Sequence, residues 1–232
     1  MRTDGEFTAL SSLVPGIFSF AHEGLSSGTE YTYRIEILDG DSPIASAEAH
    51  ARPQPCAPVP SLVSAPLTLT ADGSPWCVSA GGAPLNTVTS SIVIEPGTVV
   101  LFEEAAGWSF DAGGLVSNGT ENSPVVLTSR DPSPTVWGGL FFSSASRTAR
   151  YDQTLDGLDY VEGNRLAFTF VDHSGGITSE GGLDIEGSVF RFAFKGAGDG
   201  GALNLTAAAD RNLYIRDSIF AQNSCFDDRC EG

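Results

Sequence analysis

Short apolar runs recur along residues 92–223, and each is separated from the next by a corner of small or polar residues. No amphipathic helix pattern lies between them. Four of these runs are residues 92–94, 99–102, 124–128 and 213–215. One coil of such a chain cannot bury its own apolar face, so burial depends on stacking against a neighbouring coil. The pattern therefore predicts successive turns of a parallel β-solenoid.

The physical chemistry of such a stack explains the residue types. Strands of adjacent coils lie about 4.8 Å apart, so like side chains stack on like. Val, Ile, Leu and Phe are expected inside, Gly allows left-handed corners, and a corner Asn is expected to bond the coil above. Of 232 residues, 41% are hydrophobic and 18% charged, with 27 Gly and 13 Pro, which agrees with many short strands joined by turns.

The charge argues against some partners. The formal net charge is −17, and Lys195 is the single lysine beside eleven arginines. Nucleic-acid affinity depends on basic side chains, so a nucleic-acid partner is not expected. No apolar run approaches the ~20 residues of a membrane-spanning helix, so no membrane span is predicted.

Residues 1–53 predict a separate, small antiparallel β unit. Residues 25–37 alternate apolar with polar side chains, Asp39 and Gly40 predict a turn, and residues 44–51 predict a second strand. The segment resembles the last three strands of a fibronectin type III domain. That resemblance implies a tyrosine corner formed by Leu25, Gly28, Thr29 and Tyr31. Only part of such a domain precedes the linker.

The next segment, residues 54–66, carries prolines that alternate with small residues, which favours a stiff, extended linker. The solenoid is expected over residues 67–232. Its pattern loosens over residues 143–164, which predicts a loop protruding from one corner, where insertions do not disturb stacking. Residues 158–161 and 166–171 are expected to resume the coil strands.

Three corner motifs carry a resemblance to a known fold family. They are Ile-Glu-Pro-Gly-Thr at 94–98, Asn-Gly-Thr-Glu-Asn-Ser-Pro at 118–124 and Trp-Gly-Gly at 137–139. Together and in this order they resemble the opening of secreted bacterial right-handed parallel β-helix proteins of the pectate-lyase-like superfamily. The resemblance implies an all-β, right-handed parallel β-helix located outside the cell or on the bacterial cell surface.

The four cysteines form two local pairs, Cys56 with Cys77 and Cys225 with Cys230. Four cysteines allow three connectivities, and proximity favours these two disulfides, each at one end of the solenoid. Zinc ligation is the alternative, but the spacing differs from two close pairs and no His lies near. Disulfides imply an oxidising compartment.

The sequence offers carboxylates but no recognisable catalytic constellation. The β-helix resemblance implies that a lyase would need clustered Asp with a basic residue, and a hydrolase two or three carboxylates on neighbouring coils. The candidates are Asp159, Asp172, Asp184, Asp199 and Asp217, with Arg191 or Arg216. Their positions do not repeat so as to place three on one strand, and no catalytic residue, cofactor or metal site is predicted.

Two further groups favour structural roles. His173 between Asp172 and Ser174 predicts a polar corner rather than a nucleophile's base, because adjacency in sequence does not supply triad geometry. Tryptophan can stack on sugars, but it more often fills a solenoid core. Core positions are therefore expected for Trp76, Trp108 and Trp137.

The β-helix resemblance implies a non-catalytic extracellular structural or adhesive module. We expect it to bind a polysaccharide or a surface protein along a rigid β-helix, as part of a larger surface protein. A polysaccharide lyase or glycoside hydrolase is one alternative, and a self-assembling filament subunit is another. The last coil is expected to be covered by the Cys225–Cys230 loop, by further chain, or by a second copy stacked end to end.

Overall fold

The computed structural model describes residues 7–10, 25, 29–40, 42–51, 55–80, 85–131, 136–154, 157–195, 201–206 and 213–225. The chain divides into two compact units, Met1–Pro55 and Cys56–Gly232. All regular structure within the described residues is β, and most of it is parallel. The prediction of an all-β chain built on parallel strands is thereby confirmed.

The described part of the first unit is one antiparallel hairpin. Its strands are β1 (Tyr31–Asp39) and β2 (Ser42–Ala51), joined through Gly40 at φ +60°. The turn lies where Asp39-Gly40 predicted it. On one face, Arg34 of β1 donates to Glu48 of β2 at 2.6 Å. Gly28 of the tyrosine corner that the fibronectin type III resemblance implies lies outside the described residues.

Three parallel sheets build the second unit. Sheet 1 contains β3 (Ala57–Pro58), β6 (Trp76–Val78), β9 (Val99–Phe102), β12 (Val125–Ser129), β17 (Thr169–Asp172), β20 (Val189–Arg191) and β24 (Ile219–Ala221). Sheet 2 contains β4 (Leu62–Val63), β7 (Asn86–Val88), β10 (Gly107–Phe110), β13 (Gly139–Phe142), β18 (Ile177–Ser179) and β22 (Leu203–Leu205). Sheet 3 contains β5 (Leu67–Leu69), β8 (Ser91–Ile94), β11 (Gly114–Asn118), β16 (Arg165–Ala167), β19 (Leu183–Glu186) and β23 (Leu213–Arg216).

The chain visits these sheets in a fixed cycle, from sheet 1 to sheet 2 to sheet 3 and back to sheet 1. We call one such passage a coil. In every sheet the strand of each coil pairs in parallel with the strand of the coil before it. A short parallel pair, β21 (Phe194–Lys195) with β25 (Ser224–Cys225), lies between sheets 1 and 2 along the chain. This topology is compatible with a parallel β-helix.

Like residues stack between coils in the interior. Phe110 of β10 pairs with Phe142 of β13, and their rings stack with centroids 4.8 Å apart. Phe190 of β20 pairs with Phe220 of β24 at the same centroid distance. Alternate residues of each strand point inward, so one buried and one half-buried residue alternate along strands such as β9. The predicted vertical stacking of like side chains is present.

An aromatic cluster fills the middle of the stack. The ring of Trp137 stacks on Phe102 with centroids 4.0 Å apart, and Trp108 meets Phe102 edge to face at 4.9 Å. Both tryptophans are fully buried, and the Trp137 indole N–H donates to the Asp172 carbonyl at 2.8 Å. Trp76 is half-buried and donates to the Thr70 carbonyl at 2.9 Å. The three tryptophans therefore occupy core or core-edge positions.

The corner between sheets 3 and 1 is a tight turn that repeats in successive coils. Its turn residue adopts a left-handed conformation in three coils, with φ of +44° at Phe168, +55° at Gly187 and +49° at Asp217. Only Gly takes this conformation without strain, although Asp tolerates it better than most residues. The stacked hydrogen bonds of the surrounding coils hold Phe168 in place.

Buried hydroxyl groups link the same corners. The Ser117 and Thr169 hydroxyl oxygens lie 2.7 Å apart, and the Thr169 backbone N–H donates to Ser188 Oγ at 3.0 Å. The Ser188 N–H in turn donates to Ser218 Oγ at 3.2 Å. This ladder satisfies polar groups that the turn withdraws from water.

Asparagine plays the predicted bridging role at two other corners. Asn164 is fully buried, accepts from the Leu115 N–H at 3.2 Å and donates to Ser146 Oγ at 3.1 Å. Asn223 accepts from the Ala193 N–H at 2.9 Å and donates to the Phe190 carbonyl at 3.0 Å. Each amide therefore ties its own coil to an adjacent one.

The first coil begins earlier in the chain than residue 67. Strands β3 and β4 lie inside the segment 54–66, which was predicted as a linker, and pair with β6 and β7. Pro58 is tolerated because β3 is the edge strand of its sheet, where no partner needs its missing N–H. Cys56 and Cys77 form a disulfide across this pair, as predicted. Cys230, the second residue of the predicted pair Cys225–Cys230, lies outside the described residues, so this pairing stays a prediction.

The predicted corner insertion is an antiparallel hairpin between sheets 2 and 3. It consists of β14 (Arg150–Thr154) and β15 (Gly157–Glu162). The prediction that residues 158–161 resume a coil strand was wrong. The alternation of apolar and polar residues over 158–161 is typical of any half-buried strand. Here that strand is β15, which pairs with β14 outside the stack. The coil resumes at Arg165.

We predict that the inner ring of β13 stabilises the stack much more than the outer ring beside it. Phe142 is fully buried, so Phe142→Ala is expected to lower the free energy of unfolding by about 3–5 kcal/mol. Phe141 is half-buried on the opposite face, and Phe141→Ala is expected to cost less than about 1 kcal/mol. Denaturant titration measures both, and equal losses would contradict the assignment of inner and outer faces.

Candidate functional site

Charged side chains converge on the outer face of sheet 3. Asp184 and Glu186 alternate along β19, so both point outward from the same strand. Arg165 of β16 lies opposite Asp184, with its Nε 3.2 Å from Asp184 Oδ2, and its Nη2 bonds Glu186 Oε2. Arg216 of β23 lies opposite Glu186 and donates to the same oxygen at 2.7 Å. We call these four residues the arginine–carboxylate cluster.

Three tyrosines surround this cluster. From the hairpin, the Tyr151 hydroxyl donates to Asp184 Oδ1 at 3.1 Å, and the Tyr160 ring lies 4.5 Å from the Arg165 guanidinium carbon. Tyr214 of β23 lies 5.5 Å from the Tyr151 ring. The hairpin thus covers the cluster, and the Asp184 side chain has no exposed surface.

Burial controls the ionisation of these groups. Burial raises the pKa of the Asp184 carboxyl, although the Arg165 guanidinium opposes that shift. Burial also raises the pKa of Tyr160 to about 12 and raises the pKa of Tyr151 further, with the Asp184 charge as its second cause. Both tyrosines therefore stay protonated near neutral pH, and Tyr151 remains a hydrogen-bond donor to Asp184. The Asp184 carboxylate has no surface at which a substrate could contact it.

A second polar group occupies a corner after sheet 1. Asp172 Oδ2 accepts from Arg191 at 3.1 Å, and its other oxygen lies 3.0 Å from His173 Nδ1. The His173 ring stacks on Phe192 at 5.0 Å, and Ser174 Oγ accepts from the backbone of its own turn. The serine hydroxyl is therefore engaged in the turn rather than directed at the imidazole, which fits the predicted polar corner.

An open groove runs beside the repeated corner between sheets 3 and 1. Its volume is about 400 Å³. Two phenylalanines and three carboxylates contribute to its lining together with small and polar residues. The lining residues are Thr120, Glu121, Pro124, Phe168, Phe170, Glu186, Gly187 and Asp217. They come from four successive corners or the strands beside them, so the groove follows the stacking direction. We call it the corner groove.

The structure separates the candidate carboxylates that the sequence grouped together. Asp159 is exposed on the hairpin, Asp172 pairs with Arg191, and Asp199 lies outside the described residues. Asp184 belongs to the arginine–carboxylate cluster, and Asp217 lines the corner groove. Two of the predicted acids therefore reach sites of interest, and those sites are different.

Several residues of these sites were not predicted. They are Arg165, Glu186, Tyr151, Tyr160, Glu121, Phe168 and Phe170. For the cluster, a usable signal exists, because β16, β19 and β23 occupy the same place in consecutive coils and carry charged residues at their outward positions. The inserted hairpin lengthens one coil and hides that spacing.

Within the described ranges, no three side chains of His, Cys, Asp or Glu come together in a metal-binding group. Across the same residues there is no helix of the length and hydrophobicity that a bilayer crossing requires.

Comparison with known proteins identifies no relative of this chain. The sequence matches no protein-family model, and no curated protein or solved structure is significantly similar to it.

We predict that Arg165 compensates the buried charge of Asp184. In Arg165→Gln the carboxylate stays buried with one main partner lost, and we expect a loss of about 3 kcal/mol or more in unfolding free energy at neutral pH. Because burial already raises the pKa of Asp184, lowering the pH protonates it and should shrink this loss. Denaturant titrations of the wild type and the variant at several pH values measure this loss of unfolding free energy.

The matched variant is Arg165→Gln combined with Asp184→Asn, which removes the buried charge together with its partner. This double variant should recover most of the stability at neutral pH. A loss that stays constant with pH and is not recovered would contradict the charge compensation.

We predict that Tyr160 makes the fold sensitive to alkali. Its pKa is near 10 in an unfolded chain and about 12 in the folded protein. A raised folded pKa gives stabilisation that is complete below the unfolded value and is lost as the pH rises towards the folded value. The wild-type unfolding free energy should therefore fall more steeply across this interval than that of Tyr160→Phe. Parallel curves for the two proteins would refute this effect.

Proposed function

We propose that the second unit is a right-handed parallel β-helix acting as a non-catalytic carbohydrate-binding module on an extracellular surface. The fixed cycle of strands through three parallel sheets supports the helix. Parallel strands joined by a crossover are right-handed in about 98% of cases, which supports the hand. The Cys56–Cys77 disulfide supports an oxidising location, such as the bacterial exterior.

The open corner groove is the observation that carries this proposal. Binding sites for small molecules and chains are concave, with apolar surface and a few polar groups that fix orientation. Phe168 and Phe170 offer partly exposed rings, and Glu121 and Asp217 offer exposed carboxylate acceptors. Sugars present apolar C–H faces and many hydroxyl donors, and both match this lining. A protein ligand on the same flank is the other partner class that the sequence suggests.

The arginine–carboxylate cluster supports a non-catalytic role. A glycoside hydrolase needs two carboxyl groups that face the scissile bond, one of them free to give up a proton. Asp184 is fully covered and is bonded by Tyr151, while Glu186 is shared by two arginines. These contacts fasten the hairpin to sheet 3 and leave neither carboxylate free for acid–base chemistry.

Self-association through the end of the stack is a second candidate. Phe190 is buried, whereas Phe220, in the same position one coil later, is 41% exposed. Ile219 beside it is 58% exposed. A further coil stacked on these residues, from another copy or another segment, would bury them as the earlier coils bury their own.

We predict carbohydrate binding without cleavage. The protein should bind at least one polysaccharide in a panel of immobilised glycans, and Phe170→Ala should weaken that binding about tenfold, or about 1.4 kcal/mol. Phe141→Ala removes a half-buried outward ring from another sheet and serves as the control. Chromatography of the bound glycan should show no shortened or unsaturated product. Cleavage of the bound glycan, or failure to bind any member of the panel, would overturn the proposal.

A further inference from the structure

We propose that the corner groove selects a cationic amino-sugar chain, such as β-linked glucosamine polymer, over neutral and acidic glycans. This inference rests on the proposed carbohydrate-binding function and adds its ligand class.

The groove presents uncompensated negative charge. Glu121 and Asp217 are exposed, and within the described residues no ion pair or side-chain hydrogen bond engages either carboxylate. Glu186 contributes less negative charge to the groove, because Arg165 and Arg216 both bind it. No lysine or arginine is among the described residues that line the groove. A ligand with ammonium groups would supply the missing partners.

The nearby arginines are already paired with carboxylates of the arginine–carboxylate cluster. Arg165 is held by Asp184 and Glu186 and lies against the Tyr160 ring, and Arg216 is held by Glu186. An acidic chain would therefore meet exposed carboxylates, and the only nearby arginines in the described residues already form ion pairs. The net charge of −17 also repels such a chain at long range and attracts a cationic one.

The aromatic residues favour a sugar over a basic peptide. Phe168 and Phe170 are both half-buried and lie two residues apart on either side of the start of β17. Partly exposed rings suit the flat C–H face of a pyranose, which gains by covering apolar surface. A lysine-rich peptide brings the charge but lacks a rigid apolar face. The combination of rings with flanking carboxylates matches a sugar that carries amino groups.

The lining residues extend far enough for a chain rather than a single ion. Glu121 belongs to the first of four successive corners and Asp217 to the last, which are three coil steps apart. At about 4.8 Å for each step, this is roughly 14 Å along the stack. The two carboxylates therefore flank the aromatic rings at opposite ends, where separate units of an extended oligomer would meet them.

Isothermal titration calorimetry with defined oligomers tests the ligand class. The ligands are β-1,4-linked glucosamine oligomers, the N-acetylated oligomers of equal length, oligogalacturonate, and an oligolysine peptide. We expect the glucosamine oligomer to bind about tenfold or more tightly than its N-acetylated form, and oligogalacturonate not to bind. Added salt should weaken the glucosamine complex, because its charge pairs are exposed to solvent.

Two charge-removing substitutions locate the site. Glu121→Gln combined with Asp217→Asn should weaken glucosamine binding about tenfold or more. Asn tolerates the left-handed conformation that Asp217 adopts, so the corner should keep its shape. Glu104→Gln removes one exposed carboxylate on another corner and should leave binding unchanged. A thermal melt of each variant checks that it is folded.

The possible results separate this inference from the function on which it rests. Tighter binding of the N-acetylated oligomer, with binding still sensitive to Phe170→Ala, would overturn the charge selection and leave the carbohydrate module intact. Binding of oligolysine in preference to every sugar would overturn the choice of occupant. An equal loss of affinity in Glu104→Gln would overturn the location. If no glycan binds, both proposals fail.

Discussion

The fold of the second unit depends on the stacking of matching side chains in adjacent coils. A single coil has too few residues to enclose a core, so each inner side chain is buried mainly by its counterpart in the next coil. Phe110 with Phe142 and Phe190 with Phe220 show this stacking directly. A change of residue at one level therefore affects the level above and the level below, and the interior tolerates few independent substitutions.

The same stacking places the corners of successive coils in register. Phe168, Gly187 and Asp217 take one left-handed conformation in successive coils, and buried hydroxyls such as those of Thr169 and Ser188 satisfy the turns. Corners that stack leave a continuous depression beside them, lined by whatever residues the turn positions carry. The corner groove is thus a product of the architecture, while its aromatic and acidic character comes from the individual residues.

The sequence predicted the stacked parallel strands because their signal is local: an apolar run, a corner, another run. It also located the insertion and one disulfide. It did not predict the arginine–carboxylate cluster, because Arg165, Glu186 and Arg216 meet only when three coils are laid in register. The coil lengths vary and the hairpin lengthens one of them. The start of the first coil was also hidden, since Pro58 is characteristic of a linker but is equally suited to an edge strand.

The hairpin formed by β14 and β15 joins the stack at a single corner, while strands on both sides of it keep their pairing. Its anchor is chemically distinct from the interior: tyrosine and arginine against acid, rather than apolar on apolar. The hairpin and the coils therefore have separate roles. A peptide inserted between Thr154 and Gly157 would change the surface that the protein presents, while the stacked coils would still provide the stability of the fold.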